Sequence, residues 1–185
     1  MILRVNPNRM ELLRLRKRLL LARRGHKFLQ DKLEELMRRF QGLLKDINKA
    51  KEDFQHKTKS LLRNLIYCRI TSSKDDFQET LQKIKSEVDI DISTSSIMNV
   101  KVPVFAIKSL RIEKNYDFFK TSAQMDLVIA ESTSYIESLL KLSQLLKTLD
   151  ILSYEIERTR RRVNALEYML IPSINETVHY ITQKL

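Results

Sequence analysis

Apolar side chains return every three or four residues through the first third of this chain, at Leu12, Leu15, Leu19, Ala22, His26, Leu29, Leu33, Leu36, Phe40, Leu43, Ile47, Ala50 and Phe54. Within that series only His26 is polar. A repeat averaging about 3.5 residues draws a narrow stripe along an α-helix, and a stripe so long is buried only against a second long helix. The series predicts a helix over roughly 8–69, on the order of 90 Å long at about 1.5 Å per residue. Asn6 and Pro7 suit its start, since Asn caps free N–H groups and Pro is tolerated in a first turn. Beyond Phe54 the stripe continues through Thr58, Leu61, Leu65 and Cys68, with two four-residue steps in succession. Such a stutter locally unwinds a left-handed supercoil.

The helical period returns from about Tyr116. Val128, Ser132, Tyr135, Leu139, Leu142, Leu146 and Leu149 form one series, and Leu152, Ile156, Thr159, Val163, Leu166 and Leu170 form the next. Pro172 predicts a kink or local break before Val178 and Ile181 resume the pattern. Between the two long helices, Thr71 to Asp76 read as a break with a new N-terminal cap, and Phe77, Leu81 and Ile84 as a short amphipathic helix. The period then changes to two: Val88, Ile90 and Ile92, and later Val100, Val102 and Val104, alternate with their neighbours. These are two short strands with a hairpin around the STSSIMN segment, and Pro103 confines its strand to a sheet edge.

Only two glycines and three prolines are present, which favours long helices over a many-stranded sheet. The expected fold is therefore mainly α: a long antiparallel two-helix coiled coil with a short middle region holding a short helix and a β-hairpin. Its parts are the N-terminal long helix (1–70), the middle region (71–115) and the C-terminal long helix (116–185). Pairing the helices with Phe54 near Met125 places position 20 opposite the region of 160, with both chain ends at one tip.

A net charge of +11 calls for an acidic partner, whether protein, nucleic acid or anionic membrane. Arg14, Arg16, Lys17, Arg18, Arg23, Arg24 and Lys27 form one basic cluster, and Arg158, Arg160, Arg161 and Arg162 a second. In the pairing above the two lie side by side, and like charges so placed must face solvent or a partner. One cysteine forms no internal disulfide and fits a reducing, cytoplasmic setting. No apolar run reaches the ~18 residues that span a bilayer.

Catalytic chemistry has no foothold. Gly25 and Gly42 stand alone, without a phosphate-binding loop. His26, His56 and His179 lack second ligands at metal spacing, and His26 on the seam reads as structural. Cys68 reads as a small apolar residue, and Asp89 and Asp91 as the wet face of a strand. No cofactor and no enzymatic activity are expected.

Three segments, NPNRMELLRLRKRLLLARRGHKFLQDKLEEL, SIMNVKVPV and EIERTRRRVNALEYMLIPSINETVHYI, resemble in that order the D-subunit family of V-type and archaeal-type rotary ATPases. They cover both helices and the hairpin, and TRRRVNALEY followed by IP is the most distinctive. The resemblance implies a rotor shaft: an antiparallel coiled coil inserted in a hexamer of catalytic and non-catalytic subunits. It also implies a lower part bound to the small F-subunit of the central stalk and seated through a further subunit on the membrane ring. Such a chain carries torque between ATP hydrolysis and ion translocation, without nucleotide of its own and without inserting into the membrane. Family members usually run on past the region matching Val178 to Leu185.

On this reading Arg14, Arg18, Arg23, Arg24, Arg160, Arg161 and Arg162 face acidic loops of the hexamer. Ile97, Met98, Val100 and Val102 face the F-subunit or the lower stalk, against the alternative that they pack on the chain's own helices. The remaining functional alternatives are a basic coiled coil that binds nucleic acid, with steep salt dependence, and a cytoplasmic scaffold. No exposed aromatics interleave with the basic residues as single-strand stacking requires, and no lipid anchor is visible.

Overall fold

The computed structural model describes residues 6–113, 115–116 and 123–185. Helix α1 spans Arg9–Thr71 and α2 spans Lys74–Lys83; strands β1 (Lys85–Ile97) and β2 (Val100–Glu113) follow. Helix α3 spans Ala123–Asn164, a π-helical turn covers Ala165–Leu170, and α4 covers Ile171–Lys184. Two compact units result, one of residues 1–41 with 152–185 and one of residues 42–151.

Every position of the α1 seam from Leu12 to Phe54 is buried or half-buried. In the first unit Leu15, Ile174 and Ile181 form the core, flanked by Leu12, Leu19, Val178 and Tyr180. His26 then faces Glu167, and Lys32 Nζ lies 3.1 Å from Glu155 Oε1. Numbers rising on α1 as they fall on its partner show that the pairing is antiparallel. The second unit repeats the pattern. Phe54 stacks on Tyr135 with ring centroids 5.2 Å apart, Ser60 Oγ donates to Glu131 Oε1 at 3.0 Å, and Cys68 Sγ meets Met125 Sδ at 3.7 Å.

These contacts correct the expected register. Phe54 faces Tyr135, and Met125 faces Cys68, a slip of about three helical turns. A stripe that repeats every 3.5 residues or so matches itself after such a slip, so the apolar pattern leaves register open. Specific pairs, here an aromatic stack and a half-buried ion pair, select it. The α3 seam is corrected too. Leu139 and Leu146 are exposed while Ser138 and Thr148 are buried. Their hydroxyls donate to the carbonyls of Tyr135 and Gln144, each at 2.8 Å, so these polar side chains enter the seam without an unsatisfied group.

Pro172 does not break the chain's last helical stretch. It lacks an N–H and its ring would strike the carbonyl four residues back. The helix widens instead: the Ile171 N–H donates to Leu166 O, the five-residue reach of a π-turn.

The helix expected from Tyr116 begins later. Tyr116 lies in a bend, residues 117–122 fall outside the described set, and α3 is seen from Ala123. Tyr116, Cys68, Met125 and Ile129 form a core against which Phe77, Ile84 and Ile112 pack. This core ties α2 and the base of the hairpin to the helix pair. Burial, and then its hydrogen bond to Asp126, pushes the Tyr116 hydroxyl up to about 12, and that hydroxyl donates to Asp126 Oδ1 at 2.8 Å. Burial likewise raises the Cys68 thiol, opposed by a hydrogen bond with Ser72.

The hairpin is longer than its alternation suggested. Ser93 to Ser96 lie within β1, paired to Lys101 through Val104. The turn consists of Met98 and Asn99, both left-handed at φ 51° and 66°, the arrangement that matches strand twist in a two-residue hairpin. Asn adopts that conformation readily, whereas Met is strained there.

Candidate functional site

A chain built as paired helices exerts its function through surfaces, and the basic side chains come first. Arg14, Arg18, Arg23, Arg24, Arg160, Arg161 and Arg162 are all exposed. Arg14 lies 3.7 Å from Glu11 one turn away, and Arg161 pairs with Glu157. Among the described residues no ion pair joins Arg18, Arg23, Arg24, Arg160 or Arg162 to an acid. Exposed pairs on one helix are worth only ~0.2–1 kcal/mol, so all seven guanidiniums remain available to a partner.

The corrected register changes how the clusters lie. Glu155 faces Lys32 and Glu167 faces His26, so residues 14–27 run beside the π-turn and α4, not beside Arg158–Arg162. The two clusters follow one another along the first unit instead of sitting side by side. Tyr154, Glu157, Arg158, Arg161, Arg162 and Ala165 line a surface cleft of about 320 Å³.

His26 stays on the seam as expected, half-buried. Its Nε2 lies 3.4 Å from Glu167 Oε2 but makes no hydrogen bond. Among the described residues no three of His, Cys, Asp and Glu come together as metal ligands would.

A second set of exposed side chains corrects one expectation: aromatics do stand among the basic residues, Phe28 next to Lys27 and Tyr154 in the cleft with Arg158 and Arg161. Met10, Leu13, Leu20, Leu21 and Phe28 are exposed on α1, Met10, Leu21 and Phe28 by more than 70%. At about 100° per residue they fall in an arc roughly opposite the buried seam, with Lys17 and Arg24 inside it. Tyr154, Tyr168 and Met169 are exposed in the same unit, on α3 and the π-turn. In the second unit Leu62, Ile66, Tyr67 and Ile70 are exposed at spacings that share a helix face. Apolar surface left open over several turns is of the kind that binds another protein or a membrane surface. The signal was legible in the sequence as apolar residues falling off the seam, and a search for one stripe passes over a second.

Of the hairpin residues, Val100 and Val102 are buried, Ile97 is half-buried and Met98 is exposed at the tip. Among the described residues no helix is long and apolar enough to cross a membrane.

A family model for the ATP synthase D-subunit matches residues 11–185. The V-type ATP synthase D-subunit of Clostridium novyi (strain NT) is 42% identical over 188 residues, covering 99% of this chain and 87% of that protein. That of Acetivibrio thermocellus is 40% identical and covers all of this chain and 85% of the relative. The Clostridium botulinum (strain Langeland) protein is likewise 40% identical, with 88% of its length covered. With a family match across nearly the whole length and relatives at this identity, the chain belongs to the D-subunit family of V-type ATP synthases.

Proposed function

We propose that the chain is the central shaft of a V-type ATPase, a peripheral subunit that carries torque between ATP hydrolysis in the catalytic hexamer and ion translocation in the membrane ring. It contributes no catalytic group and no nucleotide site of its own. The observation that carries this reading, beyond family membership, is the apolar and basic surface opposite the α1 seam in the first unit. A helix pair that needed only solubility would leave that face polar. Lys17 and Arg24 among Leu13, Leu20, Leu21 and Phe28 suit a sleeve with an apolar wall and acidic loops, which Arg14, Arg18, Arg23, Arg24, Arg160, Arg161 and Arg162 meet in successive rotational states. Weak, solvent-screened pairs let the shaft turn without sticking.

The second unit supplies the lower contacts. Leu62, Ile66, Tyr67 and Ile70 present a helix face to the F-subunit, and Ile97 and Met98, at the hairpin tip, supply a separate contact for the F-subunit or the lower stalk. Val100 and Val102, being buried, hold the tip in place. This assignment takes the place of the nucleic-acid and scaffold alternatives.

Charge reversal of Arg160, Arg161 and Arg162 to Glu tests the contact with the hexamer. Coupling between hydrolysis and ion movement in the reassembled enzyme is expected to fall, with helix content by circular dichroism unchanged. Full coupling in the triple variant would remove these residues from the interface.

A further inference from the structure

The two edges of the hairpin differ sharply. In a two-residue hairpin the pair closing the turn, Ile97 with Val100, exchanges both hydrogen bonds, and pairs then alternate along the ladder. Lys101, Pro103 and Phe105 therefore aim their backbone nitrogens away from β1. That edge of β2 is closed: Pro103 has no N–H to offer, the Phe105 N–H donates to Gln144 Oε1 on α3 at 3.2 Å, and β2 bulges at Lys108, the extra residue between Ile107 and Ser109, which face Ile90 and Asp89. Proline, bulges and covering elements are the usual devices that block edge pairing.

The outer edge of β1 carries none of them. It has no Pro and no Gly over Lys85–Ile97, and all but its last residue are exposed. Among the described residues no backbone hydrogen bond reaches it from outside the hairpin. Ile90, Ile92, Thr94 and Ser96 point their N–H and C=O groups outward by the same alternation. One face of the strand bears Val88, Ile90 and Ile92, the last 65% exposed, and the other bears Glu87, Asp89 and Asp91. These three acids form an acidic stripe in a chain of net charge +11. Lys108 is 3.4 Å from Asp91.

We infer that the outer edge of β1 receives, as a third strand, an extended segment of another protein chain in which apolar residues alternate with Lys or Arg. The backbone ladder supplies the attachment; the acidic stripe and the isoleucines select the occupant. A second copy of this chain is a poor occupant: antiparallel pairing of two β1 strands about Asp89 sets acids against acids, which repel, and pairing about Ile92 sets them against Ser93, Ser95 and Ile97, with no Lys or Arg to meet them. A third strand also gives a two-stranded ribbon the support that such ribbons lack alone. The inference rests on the proposed place of the chain in a multi-subunit assembly.

Hydrogen exchange followed by mass spectrometry, on the purified chain and on the assembled ATPase containing it, tests the assignment. On assembly the outward amides of β1, at Ile90, Ile92, Thr94 and Ser96, are expected to slow at least tenfold. Ile92→Pro removes an outward donor while sparing the hairpin's own ladder, as Pro103 already does in β2. It is expected to abolish that slowing, while the inward amides of β1 stay protected. Asp89→Asn with Asp91→Asn, which removes the acids without setting a new cation beside Lys108, is expected to weaken the slowing while the inward amides stay protected. Retention of the wild-type chain in the complex with unchanged β1 exchange would overturn strand addition and leave the shaft reading standing. Protection in the isolated chain that rises with its concentration would make a second copy the occupant and overturn the assignment to another chain.

Discussion

Phe28 separates surface that stabilises the fold from surface that holds a partner. It is 71% exposed, on the side of α1 away from the seam, so Phe28→Ala takes little from the folded chain, within ~0.5 kcal/mol as for most surface changes. Its worth in the assembly is larger. A phenylalanine with about 200 Å² to bury, of which this exposure leaves about 140 Å², gives at most ~3.5 kcal/mol at ~25 cal/mol per Å². Ordering the side chain takes back about 1 kcal/mol. The remaining ~2–2.5 kcal/mol corresponds to a loss of affinity of roughly 30- to 70-fold. Titration of fluorescently labelled chain into the isolated catalytic hexamer measures that loss, and urea unfolding followed by circular dichroism measures stability. A change in affinity below threefold, or a fall in stability above 1 kcal/mol, would refute the assignment of this face to the hexamer.

Ile181→Ala is expected to do the reverse. Ile181 is fully buried against Leu15 and Ile174, and its truncation should cost about 2–4 kcal/mol, read as a lower urea midpoint with faster hydrogen exchange in the first turns of α1. Met98→Gly relieves a left-handed backbone at φ 51° and should raise hairpin stability by about 0.5–1 kcal/mol, measured by exchange of the inward β1 amides; if Met98 is a contact, assembly weakens at the same time. The Tyr116 hydroxyl, raised to about 12 in the folded chain against about 10 when unfolded, stabilises the fold fully below pH 10, and this contribution is lost as pH rises toward 12. Wild-type stability should therefore fall more steeply between pH 10 and 12 than that of Tyr116→Phe, by urea unfolding at matched ionic strength.

What the sequence revealed and what it hid follow from the same periodicity. The α1 seam from Leu12 to Phe54 was readable because apolar side chains at a helical spacing must be buried, and each of those positions is turned inward. The register was not, since a regular stripe fits itself after a slip of whole repeats; specific cross-helix pairs such as Phe54–Tyr135, Lys32–Glu155 and Cys68–Met125 distinguish one alignment from another. Ser138, Thr148 and Thr177 look like surface residues in a sequence, yet each is buried with its hydroxyl bonded to a carbonyl three or four residues back. Pro172 announced a disturbance but not its form, because a break, a kink and a widened turn all spare the missing N–H.

The surfaces were legible in part. Basic residues declare themselves wherever they stand, and the seven arginines singled out are exposed. Leu21 and Phe28 were hidden by their neighbours: in a stretch this rich in leucine, the residues that belong to the core mask those that do not. At the hairpin, alternation marked Val100 and Val102 as one face, but only the fold shows that this face turns inward while Met98 and the edge of β1 turn out.

On the proposed function, one copy of this chain turns as a shaft within a catalytic hexamer. Purified chain, with and without the F-subunit, added to the isolated hexamer and followed by co-elution together with ATP hydrolysis, tests it most directly. One chain per hexamer is expected, with turnover altered on binding and altered again by the F-subunit. Absence of co-elution at low salt, or co-elution that leaves hydrolysis unchanged, would contradict it.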